Sequence, residues 1–190
     1  KGPAIYVVPD NYLVKQVIDE AKRLGISATV DKDDYNYSNS KAILVTSIQT
    51  IVNGHSYFGM REAGNYPIGS IIIDDVHACM DKIIDQFMIK IDAETDAYKE
   101  LIALFNSSLK DYNPKNYIDV VEMKDCRNNI LVPYWEWQRQ QDNIYRILTK
   151  YNNSDNTSIY FGLPLIERCL ETCDCIITAS AIEISPKGID

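Results

Sequence analysis

Short apolar runs alternate with helical patterns in the first half of the chain, and this alternation constrains the fold more than any other feature. The runs Ala4–Val8, Ala42–Thr46 and Ile71–Ile73 are largely apolar, as is typical of strands buried on both faces of a parallel sheet. Apolar residues recur at helical spacing over 11–24 and again over 80–91. The sequence therefore predicts an α/β fold with a parallel sheet flanked by helices.

The middle of the chain interrupts this pattern. Helical periodicity there encloses two candidate strands, 117–123 and 129–132, which predicts a mixed, mainly helical insertion. Further candidate strands at 158–161 and Cys175–Ala179 predict that the chain then returns to the first sheet. The predicted segments are a core over 1–91, an insertion over 92–157 and a return to the core over 158–190.

Composition limits the possible classes of function. The chain has 19 basic and 27 acidic residues and a formal charge of -8, which argues against free-standing binding to nucleic acid. No apolar run approaches the roughly 20 residues that span a bilayer, and the N-terminus lacks a basic leader. We therefore expect a soluble, cytoplasmic protein without a membrane partner.

Five cysteines form an odd number, which favours reduced thiols over a disulfide framework. Cys169, Cys173 and Cys175 follow a C-x3-C-x-C spacing that could supply three thiolates to zinc. The spacing lacks a paired C-x2-C knuckle, which favours small buried cysteines on an apolar helical face over a metal site. Both interpretations stay open at this point.

Asp74 and Asp75 carry the strongest chemical signal, because they follow the apolar strand Ile71–Ile73 directly. In a parallel α/β sheet, ligands bind outside the carboxyl ends of the strands. Nucleotide hydrolysis needs one carboxylate near hydrated Mg²⁺ and a second near the attacking water. An aspartate after a strand also commonly caps the next helix, so the pair alone does not decide between these roles.

Four segments in order resemble motifs of superfamily 2 DEAD/DEAH-box helicases. The resemblance covers about 1–91 and 158–186 and implies the first RecA-like, ATP-binding lobe of such a motor, with a parallel RecA-like sheet. The segments are Val8–Val14 (motif Ia), Val45–Thr50 (the strand end before motif II), Asp74–His77 (motif II, the DExD/H box) and Thr178–Ser180 (motif III).

This resemblance implies roles for individual residues. Asp74 would bind Mg²⁺, Asp75 would replace the family's catalytic Glu, and His77 would link the nucleotide site to Thr178 and Ser180 of motif III. The implied contacts to the DNA or RNA backbone are Pro9, Asp10, Asn11, Thr46, Ser47 and Gln49. ATP and Mg²⁺ are the implied cofactors of the intact parent protein, in which a second lobe of the same chain completes the motor.

The sequence departs from the family in two ways. Asp75 is one methylene shorter than Glu, and a misplacement on the order of 1 Å can cost about a hundredfold in rate. The chain nowhere contains G-x-x-x-x-G-K-[ST], the phosphate-binding loop. We therefore expect a truncated lobe that is inactive in isolation. The missing strand would leave the edge of Cys175–Ala179 unpaired, which predicts a homodimer or a poorly ordered C-terminus.

Two other functions remain possible from the sequence. A non-catalytic module could present the 92–157 insertion to a protein partner on a helicase-like scaffold, and a receiver-type domain could use the Asp74–Asp75 pair for Mg²⁺. The aromatic segment Pro133–Trp137, with Arg139 close behind, could stack nucleobases or could anchor the insertion to the core.

Overall fold

The computed structural model describes residues 2–58, 66 and 68–188, and the chain divides into two compact units. The first unit is Lys1–Gln86 and the second is Phe87–Asp190. Each unit has its own four-stranded sheet, parallel in the first and antiparallel in the second. The predicted α/β class with a parallel sheet flanked by helices is confirmed for the first unit.

The first unit alternates strands and helices as predicted. Its strand order is β2-β3-β1-β4, and each neighbouring pair is parallel. The elements are β1 (Ala4–Val8), α1 (Asn11–Arg23), β2 (Ala28–Thr29), α2 (Tyr35–Ser38), β3 (Ile43–Ser47), α3 (Ile48–Ile51), β4 (Ser70–Ile73) and α4 (Val76–Gln86).

Local sequence explains the β1 to α1 unit. Ile5 and Val7 of β1 are fully buried, because they pack in a cluster with Tyr37, Leu44, Ile48 and Cys79. The Asp10 carboxylate then accepts hydrogen bonds from the backbone N–H groups of Tyr12 and Leu13, which caps α1. Gly25 follows the helix with φ +70°, a conformation that favours glycine.

The edge strand β4 is unusual because its apolar residues are uncovered. Ile71, Ile72 and Ile73 are each 43–49% exposed, and successive residues point to opposite faces. Strands of parallel sheets are normally buried on both faces. One edge of β4 pairs with β1, and the other is the end of the sheet among the described residues. The first unit therefore has an open apolar edge.

The second unit has an antiparallel sheet of order β5-β8-β7-β6. Its elements are β5 (Ile89–Asp92), α5 (Asp96–Tyr112), α6 (Pro114–Tyr117), a π-helix (Ile118–Glu122), β6 (Asn129–Leu131), α7 (Tyr134–Arg139), α8 (Gln141–Lys150), α9 (Thr157–Ile166), a 3-10 helix (Glu167–Thr172), β7 (Cys173–Thr178) and β8 (Ala181–Pro186). None of the helices in the described ranges is long and apolar enough to cross a bilayer.

Trp137 is the largest fully buried side chain described in the second unit. Its indole N–H donates to the Leu170 carbonyl at 2.8 Å, and its ring stacks on Phe105 with the centroids 6.2 Å apart. The neighbouring Glu136 is also buried and pairs with Arg139. The anchoring interpretation of the aromatic segment is therefore confirmed for Trp137.

The predicted return to the first sheet is wrong. β7, which covers most of Cys175–Ala179, pairs antiparallel with β6 and with β8. Both edges of this strand are therefore paired, and the open edge that we predicted there belongs instead to β4. Residues 92–157 accordingly form one unit with 158–188 rather than an insertion.

Three predicted elements are also different in the structure. The helix expected over 80–91 ends at Gln86, and the strand β5 follows it. The expected strand over 117–123 is largely a π-helix. The expected strand at 158–161 is part of α9, because helical geometry brings Ile159, Leu163 and Ile166 together in the core.

The two tryptophans give a matched test of this core. We expect Trp137→Ala to lower the free energy of unfolding of the second unit by about 3–5 kcal/mol, since it leaves a large cavity. Trp135→Ala, at a side chain that is 54% exposed, should change it by no more than about 0.5 kcal/mol. Urea unfolding followed by circular dichroism measures both, and equal losses would contradict the assigned core.

Candidate functional site

The carboxyl ends of β1, β3 and β4 lie at one edge of the parallel sheet. Val8 is opposite Ser47, and Val7 is opposite Ile73, so the residues that follow these strands share one end of the sheet. Most of the candidate residues from the sequence are brought to this end; they are Pro9, Asp10, Asn11, Thr46, Ser47, Gln49, Asp74, Asp75 and His77.

Asp74 continues β4 by one residue, and two hydrogen bonds hold its backbone. Its N–H donates to the Val7 carbonyl at 2.8 Å, and its own carbonyl accepts from the Cys79 thiol at 3.3 Å. Burial raises the pKa of Tyr6, and the nearby Asp74 carboxylate raises it further. The Asp74 backbone therefore has a fixed position at the sheet end, and its carboxylate is exposed.

Asp75 forms the start of α4. Its backbone has φ +47°, a left-handed conformation that Asp tolerates better than most residues. One carboxylate oxygen accepts from the Ala78 N–H at 3.2 Å, and the Asp75 carbonyl accepts from the Cys79 N–H at 3.0 Å. Asp75 therefore caps the helix, while its second carboxylate oxygen is available to another ligand.

The other residues at this end have simpler surroundings. His77 is exposed in the first turn of α4. Ser47 is buried, and its hydroxyl is 3.2 Å from that of Thr50. The Asp10 carboxylate is already used as the cap of α1. The end of the sheet thus presents acidic and polar side chains rather than a basic surface.

Thr178 and Ser180 are not part of this arrangement, because they belong to the second unit. The Thr178 hydroxyl accepts from the N–H groups of Ser180 and Ala181 and donates to the Ala181 carbonyl at 2.9 Å. These contacts organise the tight turn between β7 and β8. The turn explains why a threonine and a serine occur at these positions. The prediction that they share a sheet with the Asp74 strand is wrong, because β4 and β7 belong to different sheets.

The cysteines are placed for packing. Cys173 and Cys175 are buried in β7, and the Cys173 thiol donates to the Cys169 carbonyl at 3.4 Å. Burial raises the pKa of Cys173 to about 12, whereas a zinc ligand must be a thiolate. Among the described residues, no group of three or more His, Cys, Asp or Glu side chains is arranged to hold a metal ion.

Two exposed carboxylates suit Mg²⁺, which typically keeps several waters and takes one or two carboxylates together with substrate phosphates. Asp74 and Asp75 therefore fit the metal of a nucleotide complex. No G-x-x-x-x-G-K-[ST] segment exists in the sequence to cradle the phosphates. The residues present thus fit one half of such a site.

Tyr6 is a member of the site that sequence reasoning missed. The sequence feature that could have indicated it is a tyrosine, with its polar hydroxyl, within the otherwise apolar run of β1. In the parallel register, Tyr6 is opposite Ile72, two residues before Asp74 on the same face of the sheet. The register, which the sequence does not show, is what brings the hydroxyl to the carboxylate.

The cap at Asp75 can be tested by three substitutions. Asp75→Ala should destabilise α4 by about 1 kcal/mol, because it removes the acceptor for the Ala78 N–H. Asp75→Asn keeps an acceptor and should stay within a few tenths of a kcal/mol of the wild type. Amide hydrogen exchange along α4 measures the effect. Asp81→Ala, at an exposed position in the same helix, is the control. It should leave the hydrogen-exchange rates of the first-turn amides unchanged.

Comparison of the chain with protein-family models, curated proteins and solved structures found no match. A function for the acid pair depends on the chemistry of Asp74, Asp75 and their neighbours.

Proposed function

We propose that this chain contributes to the first motor lobe of an ATP-dependent helicase or translocase of superfamily 2, acting on DNA or RNA. The observation that carries the proposal is the common end of β1, β3 and β4. There the Asp74–Asp75 pair lies at the same sheet end as Pro9–Asn11 and Thr46–Gln49, which resemble the nucleic-acid-binding segments of that family.

In this proposal Asp74 and Asp75 have different roles in nucleotide hydrolysis. Asp74, whose backbone N–H donates to the Val7 carbonyl of β1, would hold the hydrated Mg²⁺ of MgATP. Asp75 would orient the attacking water with the carboxylate oxygen that the cap leaves available. Bound Mg²⁺ supplies charge neutralisation for the phosphates. His77 is exposed in the first turn of α4, as Asp74 and Asp75 are just before it.

The open edge of β4 supports the proposal. A phosphate-binding loop follows a strand and precedes a helix. A further parallel strand beside β4 would end next to Asp74, because parallel strands end at the same edge of a sheet. The loop after that strand would then meet the acid pair, and the strand itself would pair with the edge of β4 that is unpaired among the described residues.

A second candidate function is a non-catalytic module that binds a protein partner. It is favoured by exposed apolar residues in both units, at Ile71–Ile73 of β4 and at Tyr134 and Trp135 of α7. The acidic net charge of -8 and the missing phosphate loop agree with it as well. A homodimer through the β4 edge is one form that such binding could take.

The isolated chain should not hydrolyse ATP, because it has no phosphate loop to hold the nucleotide against the acid pair. Phosphate release with purified chain, MgATP and single-stranded DNA or RNA measures this. Release that persists in Asp74→Ala would indicate a contaminating ATPase. Release that Asp74→Ala abolishes would contradict the prediction.

The motor proposal itself is tested on the protein encoded by the whole gene. The region upstream of the Lys1 codon should encode a Gly-Lys-Thr or Gly-Lys-Ser, and Asp74→Ala should reduce nucleic-acid-stimulated ATPase on the order of a hundredfold or more. Asp81→Ala should leave the rate unchanged, since Asp81 is exposed away from the strand end. A whole-gene protein without the lysine motif and without ATPase would favour the binding module.

A further inference from the structure

The second unit presents an exposed aromatic surface that the motor proposal does not use. Tyr112, Tyr134 and Trp135 are 57%, 61% and 54% exposed, and the adjacent Leu131 is 54% exposed. Trp135 is central, with the rings of Tyr112 and Tyr134 packed edge-on at centroid distances of 5.4 and 5.9 Å. We call these four residues the aromatic ledge. The ledge borders a groove of about 450 Å³.

The groove follows the open edge of β6. The Val132 N–H donates to the Cys175 carbonyl, so this pair of residues is hydrogen-bonded across the β6–β7 ladder. Bonded and non-bonded pairs alternate in antiparallel sheets, and Leu131 is opposite Ile176 in a non-bonded pair. The backbone N–H and carbonyl of Leu131 therefore point away from β7, toward the groove.

One other outward-pointing group of this edge is already satisfied. The Asn129 carbonyl, which also points outward, accepts from the side-chain amide of Asn116 at 3.2 Å. Within the described part of the chain, no hydrogen bond is made by the backbone of Leu131. One donor and one acceptor are thus presented together beside three exposed aromatic rings, which is an arrangement that an extended peptide backbone can pair with.

The charge of the groove selects among possible ligands. Of the described residues that line it, Asp174 and Lys187 are charged, and they pair with each other at 3.5 Å. A surface that binds single-stranded nucleic acid combines stacking aromatics with cations that face the phosphates. Here the lining cation is already neutralised, so the groove suits an uncharged ligand.

We propose that the groove binds an extended, uncharged peptide segment of a protein partner. The segment pairs its backbone with the N–H and carbonyl of Leu131 and packs an apolar or proline side chain on Trp135. Aromatic side chains of this kind supply most of the binding energy in peptide grooves, and proline-containing segments lose little conformational entropy on binding. The proposal concerns the second unit and is independent of the motor assignment.

The experiment selects ligands from a phage-displayed library of random linear peptides on the full chain. Selected peptides are synthesised, and their affinities are measured by calorimetry. The chain contains two tryptophans, and Trp137 is buried, so a shift in tryptophan fluorescence on binding reports on Trp135. Trp135→Phe should abolish that shift and thereby assign it.

Affinity should fall about tenfold or more in Trp135→Ala and in Tyr112→Ala. Tyr35→Ala, at a tyrosine of the first unit that is 74% exposed, is the control and should leave it unchanged. Methylation of the one peptide nitrogen that pairs with the Leu131 carbonyl should weaken binding, whereas methylation of the next nitrogen should not.

Four results would overturn the proposal. They are the absence of selected peptides, selection of charged peptides, binding that Trp135→Ala leaves intact, and loss of affinity that does not depend on which nitrogen is methylated. A single-stranded oligothymidylate that binds the ledge with salt-dependent affinity would also overturn it and would identify nucleic acid as the ligand.

Discussion

The parallel pairing of β1 with both β3 and β4 is the interaction on which the first unit depends. It fixes which residues follow the three strands at the same end of the sheet. Asp74 illustrates the dependence, because its backbone position is set by a hydrogen bond to the Val7 carbonyl. Any chemistry of the acid pair therefore begins with the β1–β4 register.

The edge strand β6 of the second sheet and the edge strand β4 of the first differ in what they expose. The two edges therefore suit different binding partners. In the second unit, the outer edge of β6 is partly satisfied by Asn116 and is bordered by aromatic side chains, which suits recognition of a short extended segment. In the first unit, β4 exposes isoleucines on both faces along its whole length. That edge suits an entire additional strand with covering helices, because a short peptide alone would leave the isoleucine side chains of β4 exposed to water.

Much of the first unit could be predicted from the sequence, since the apolar runs of β1 and β4 and the Asp10 cap are local signals. Sheet membership is not local. The run at β7 is equally compatible with a parallel or an antiparallel sheet, and only its long-range pairing with β8 decides between them. The strand expected at 158–161 failed because aromatic and β-branched residues favour strands locally, whereas core packing of Ile159 and Leu163 selects the helix. In the site, Asp74 and Asp75 were predictable and Tyr6 was not, because Tyr6 reaches Asp74 through register.

The residue at position 75 connects local structure to the proposed chemistry. Aspartate is among the best helix caps because its carboxylate reaches a first-turn N–H, and it tolerates the left-handed backbone found there. A glutamate would extend one methylene further toward a water molecule and would be a poorer cap at this position. The start of α4 thus accounts for an aspartate rather than a glutamate at position 75. If the acid pair acts on a nucleotide, one oxygen of the Asp75 carboxylate serves the helix cap and the other orients the water.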